Sequence, residues 1–169
     1  KHRSIEFLTG LRDQYGWWRD FNTLAGTSDE WVTAYVGSML ARVNDCRAQD
    51  AAHRAWYLLS RRRPWLAGWG YNKYVPPDAD STLWALHLAQ GIGVRSSWRV
   101  RRAERFLRQA VRADGALTTY IEDGPIRLFT KLHRGISFAG WWGSHTCVTG
   151  AAAALCQFAG RDHALGHIR

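Results

Sequence analysis

A chain of 169 residues that is 46% hydrophobic can bury the core of one domain, and no apolar run in it is long enough to span a bilayer. Three cysteines, Cys46, Cys147 and Cys156, are too few and too scattered for a disulfide framework, which makes a reducing, cytoplasmic setting the default. The formal charge of +9 suits an anionic partner, yet the arginines of Arg61-Arg62-Arg63 and of Arg95 to Arg112 alternate with apolar residues at helical spacing and lack aromatic interleaving. They read as solvated faces of outer helices, so nucleic acid is a disfavoured partner.

Along the chain, two kinds of helix alternate. Ser4 to Leu11, Ala48 to Arg62 and Trp98 to Ala113 are amphipathic and Arg-rich, and each predicts one wet and one buried face. Asp29 to Val43, Ser81 to Gln90 and Thr146 to Ala159 are apolar and rich in small residues, and each predicts burial on nearly every side. The apolar helices carry Thr marks at Trp31-Val32-Thr33-Ala34, Asp80-Ser81-Thr82-Leu83 and Cys147-Val148-Thr149-Gly150. Ahead of them, an apolar position is followed nine residues later by Gly in Phe7 to Gly16, Leu59 to Gly68 and Phe106 to Gly115. A recurrence of roughly 50 residues lies within the range of stacked helical hairpins. The expectation is an all-α chain, residues 1–169 as a single repeat domain, with inner helices facing a cavity and outer helices facing water. A long insertion spans about 116–142. Within it Thr118-Thr119-Tyr120-Ile121 is the best strand candidate, and Glu122-Asp123-Gly124-Pro125 reads as a solvated turn.

Asp78-Ala79-Asp80 stands out. It follows Gly68-Trp69-Gly70-Tyr71-Asn72 and the pair Pro76-Pro77, and it opens an apolar helix. Either carboxylate could be the helix N-cap. At the mouth of a buried helix, burial and like charge would also raise the pKa of one and hold its proton at neutral pH. His145 lies at the corresponding start of the third apolar helix, where a backbone-bonded helix-start role is the plain alternative. His145 and Cys147 have no second ligand pair at zinc spacing, so no metal site is expected. The ten Trp residues are either repeat-packing elements or cavity lining.

Phe7-Leu8 with Gly16-Trp17-Trp18, and Phe106-Leu107 with Asp114-Gly115, resemble the QW repeat of the squalene–hopene cyclase and class II terpenoid-cyclase family. Arg12 and Val111 stand where that repeat has Gln. Asp78-Ala79-Asp80-Ser81 is similar to the family's D-x-D-D motif, with Ser81 in place of the last Asp; related motifs tolerate Ser or Thr there. The resemblance implies an (α/α) toroid, of which the six or seven helices legible here would make half. It implies that self-association or further chain completes the ring. It also implies protonation of an isoprenoid alkene or epoxide by Asp80, with Asp78 as supporting carboxylate and His145 orienting the proton. Aromatic faces from Trp31, Trp69, Tyr71, Trp84, Trp141 and Trp142 would stabilise the carbocation. No cofactor is required for that protonation. The partner is an isoprenoid or other apolar small molecule, and contact with a membrane periphery would give access to it. The alternative is a non-catalytic toroid repeat that binds an apolar ligand or a partner protein.

Overall fold

The computed structural model describes residues 2–20, 22–23, 25–122, 124–131, 133, 135–137 and 139–159; Asp123 lies outside them. In chain order the elements are α1 (His2–Gly10), β1 (Asn22–Thr23), β2 (Gly26–Thr27), α2 (Glu30–Leu40), α3 (Cys46–Arg61), α4 (Ala79–Gly91), α5 (Trp98–Gln109), α6 (Gly124–Thr130), α7 (Ala139–Trp142) and α8 (Thr146–Ala159). The strands form one short antiparallel hairpin, with Asn22 opposite Thr27 and Thr23 opposite Gly26. Among the described residues the other named elements are all helices. Among the described residues, no helix is long and apolar enough to cross a membrane.

Two layers follow from the two helix types. α2 packs against α4, and α4 against α8, making an inner row; α3 backs α2 and α4, α5 backs α4, and α1 lies on α3. Small residues bring the layers close. Ala48, Ala51, Ala52 and Ala55 of α3 are buried, and a Cβ at Gly37 of α2 would sit 3.0 Å from both the Ala55 and Leu88 side chains.

The repeat seen in the sequence has a physical basis in three matching sets of hydrogen bonds. Thr33, Thr82 and Thr149, one turn into each inner helix, accept through Oγ1 from the backbone N–H of Trp18 (3.1 Å), Trp69 (3.1 Å) and Leu117 (2.9 Å). The backbone N–H of the same three threonines donates to the carbonyls of Asp29, Asp78 and His145, so these three residues occupy equivalent helix-start positions. In the first two repeats the indole N–H donates to the carbonyl of the residue ten earlier in the preceding outer helix: Trp18 to Leu8 (2.7 Å) and Trp69 to Leu59 (2.8 Å). Leu117 occupies that place in the third repeat, which therefore lacks the indole staple. Gly16 and Gly115 turn the chain between layers at φ +90 and +82, a region that side chains other than Gly seldom adopt.

Three expectations are corrected. First, not all the arginines are solvated. Arg99 is 3% exposed and its Nη1 donates to the carbonyls of Arg63, Pro64 and Leu66. Arg62 and Arg63 reach inward to pair with the buried Asp29 and Glu30, Arg63 Nη2 lying 2.6 Å from Glu30 Oε2. Buried acids need cationic partners, and these two arginines supply the close ones, with Arg19 Nη1 a further 3.9 Å from Asp29. Second, α5 ends at Gln109, short of Ala113, because the chain doubles back: Val111 pairs with Leu117 in an isolated bridge closed by the Asp114-Gly115 turn. Third, Thr118 to Ile121 is not a strand. It is a connecting segment whose carbonyls and hydroxyls serve the site described next.

Candidate active site

α4 begins one residue after Asp78, and this decides which carboxylate is the cap. Asp78 has extended backbone, and its Oδ1 accepts from the Ser81 N–H at 2.7 Å. The Ser81 hydroxyl donates to the other oxygen, Oδ2, at 2.8 Å. Asp78 is 4% exposed, and burial pushes its carboxyl from 3.8 up to about 7 against those two hydrogen bonds, with the charges of Asp80 and Glu30 adding to the rise. Asp80, in the first helical turn, is thereby released from capping. It is half-buried, and its Oδ2 accepts from the Trp31 indole N–H at 2.7 Å. Burial raises the Asp80 pKa too, opposed by hydrogen bonds from Trp31 and Trp84 and by the charge of His145.

His145 is tied to this point through the 117–120 segment. Its backbone N–H donates to Leu117 (2.8 Å), just as that of Asp78 donates to Trp69 (2.9 Å). Thr119 bridges the two helix starts: its carbonyl accepts from Ala79 N–H (2.8 Å) while its hydroxyl meets His145 Nδ1 (3.1 Å). His145 Nε2 donates to the Gly140 carbonyl, while Nδ1 accepts from the Thr119 hydroxyl when the ring is neutral and donates to it when the ring is charged. Buried Tyr120 lies beside Asp78, and burial with that charge raises its phenol well above the ordinary value.

From Asp80 an aromatic face runs along α2 and α4. Trp31 stacks on Tyr35 with centroids 5.5 Å apart, Tyr35 meets Trp84 edge-on at 4.8 Å, and Trp84 lies 5.2 Å from His87. Tyr35 is 38% exposed, so in this half the face is open.

Asp78, Asp80, His145, Trp31 and Trp84 are therefore brought together. Trp69 is not with them. It is 1% exposed, lies 5.9 Å from Trp56, and has the Arg99 guanidinium over its ring; it is the packing staple of the second repeat, equivalent to Trp18. Tyr71 packs in a small separate cluster with Val75, Tyr120 and Ile126. Trp141 joins that side through Tyr120 at 6.0 Å and is half-exposed, as is Trp142. Sequence reasoning missed Tyr35, Thr119 and Tyr120. Tyr35 carried a usable signal, since it lies four residues after Trp31 and so on the same helix face. Among the described residues, no group of three or more His, Cys, Asp or Glu is placed to hold a metal ion.

No protein-family model and no curated protein matches the chain. Solved structures do. The type II terpene cyclase MstE from Scytonema matches with a TM-score of 0.85 and 40% identity, over 96% of this chain and 48% of its own. A point variant of MstE in complex with geranylgeranyl dihydroxybenzoate, the substrate, matches with a TM-score of 0.85 and 39% identity over 96% of this chain and 47% of that one. A protein from Actinoplanes matches at 0.84 and 35% identity, over 96% and 48%. The chain is thus related to the type II terpene cyclases and spans about half the length of these relatives.

Proposed function

We propose that this chain carries the acid half of a class II terpene-cyclase active site, in which Asp80 protonates an isoprenoid alkene or epoxide and starts carbocation cyclisation. The observation behind this reading is the division of labour at the α4 start: Asp78 caps the helix through Oδ1 and takes the Ser81 hydroxyl on Oδ2, while Asp80 stands outside the cap, held by Trp31 at the end of an aromatic face. Burial favours the protonated form of Asp80, the form that an acid needs. Asp78, held rigid by Ser81, is the supporting carboxylate, and Ser81 takes the place of a further acid. His145, fixed by Thr119 and Gly140 at the facing helix start, lowers the Asp80 pKa when its ring is protonated. Trp31, Tyr35 and Trp84 offer ring faces to the passing cation.

Water would quench such a cation, and the aromatic face is open in this half. We therefore propose that self-association or further chain supplies the closing wall. The ligand class is an isoprenoid. Point variants of MstE have been solved with geranylgeranyl dihydroxybenzoate and with the product merosterolic acid A, which makes a prenylated aromatic the first substrate to try. The test is product analysis by gas chromatography–mass spectrometry with wild type and Asp80→Asn. A cyclised product that disappears in the variant is expected; its persistence would remove Asp80 as the acid.

A further inference from the structure

An acid strong enough to protonate an alkene must do more than keep its proton; the carboxylate left behind must be stabilised as the proton departs. Burial works against that second requirement, because it disfavours the charged form. The groups around Asp80 supply the opposing effect. Trp31 Nε1 lies 2.7 Å from Oδ2 and donates to it. An indole N–H donates and cannot accept. An acid proton placed on Oδ2 would face another proton, so the neutral acid carries its hydrogen on Oδ1. Tyr35 lies between the two rings, parallel to Trp31 and edge-on to Trp84, and locks both.

We infer that Trp31 is a positioning residue for the Asp80 acid: its N–H holds Oδ2, directs the proton to Oδ1, and receives the charge left when that proton leaves. This rests on the reading of Asp80 as the acid. In the step, the Oδ1–H bond breaks and its electron pair stays on the carboxylate. The alkene π pair forms the new C–H bond, and the adjacent carbon becomes cationic. The hydrogen bond to Trp31 strengthens as the carboxylate gains charge, so its contribution is larger after proton transfer than before it.

The titratable groups nearest Asp80 are Asp78 at its own helix start and His145 at the start of α8. The test isolates Trp31 from these. Trp31→Phe keeps an aromatic ring against Tyr35 and removes the N–H. A second variant carries 3-benzothienylalanine at position 31 and keeps the full bicycle without a donor. The readout is a carbon-13 NMR titration of the Asp80 carboxyl, assigned by its disappearance in Asp80→Asn, and it needs no turnover. Both variants should move the Asp80 midpoint upward by about one pH unit, tenfold in the ionisation constant. Under turnover, kcat should fall about tenfold or more with KM little changed. An unmoved midpoint in a folded variant overturns the role of Trp31 alone. Full turnover by Asp80→Asn instead overturns the acid assignment on which that role depends.

Discussion

Replacing Asp78 by Asn should remove most of a pH-dependent loss of stability that the wild-type chain suffers between acid and neutral pH. Asp78 is 4% exposed, and its carboxyl is raised from 3.8 to about 7 chiefly by burial. The folded chain therefore binds this proton more tightly than the unfolded chain does. Below pH 3.8 both forms hold it and the group costs nothing. As pH rises from there, the unfolded form releases the proton first, and folding stability declines until the folded carboxyl also ionises, near 7. Each tenfold difference in proton affinity between the folded and unfolded chains is worth about 1.4 kcal/mol, so roughly 4 kcal/mol is lost by alkaline pH. Asn keeps the cap, because its carbonyl oxygen can still accept from the Ser81 N–H. Equilibrium urea unfolding of both chains at about pH 4.5 and about pH 8 measures the effect. The variant should gain several kcal/mol relative to wild type on going from acid to alkaline conditions. Stabilities that run parallel across that range would refute the claim that Asp78 is a buried, proton-holding carboxyl.

Three substitutions test the scaffold. A Cβ at Gly70 would lie 2.7 Å from the Pro76 carbonyl oxygen and 2.8 Å from that of Val75, and backbone cannot rotate away, so Gly70→Ala should cost about 2 kcal/mol or more in urea unfolding. Gly10→Ala, with nothing within 4 Å of the new methyl, should be neutral or slightly stabilising. Trp69→Phe removes the indole bond to the Leu59 carbonyl in a site 1% exposed and should cost about 1–3 kcal/mol, while leaving the Asp80 titration unchanged. A shifted Asp80 midpoint in that variant would return Trp69 to the active face.

The helices were legible because their two burial patterns differ: a stripe with an Arg-rich face for α3 and α5, apolar residues nearly all round for α2, α4 and α8. The Thr marks were visible as a pattern, but their cause, a hydroxyl accepting from the chain that precedes each inner helix, needs the long-range contacts of Thr33 with Trp18 and Thr82 with Trp69. Sequence could not choose between Asp78 and Asp80 as the cap, since each has an N–H three residues on. Arg62, Arg63 and Arg99 looked solvated because what draws them inward lies some 32 to 37 residues away: Glu30 and Asp29 for the first two, the carbonyls after α3 for Arg99. Trp18 and Trp69 could have been recognised as packing elements from their shared ten-residue offset to Leu8 and Leu59. Thr119 gave no such hint, because its contacts are set by the close approach of two helix starts.

The central claim, that Asp80 delivers a solvent-exchangeable proton to an alkene, is most directly tested by running the cyclisation in deuterium oxide and weighing the product. Geranylgeranyl dihydroxybenzoate is the probe, with wild type and Asp80→Asn in parallel. Protonation at carbon predicts a wild-type cyclised product carrying one non-exchangeable deuterium, and no such product from Asp80→Asn. A cyclised product without the label, or a labelled one that persists in Asp80→Asn, would contradict the account.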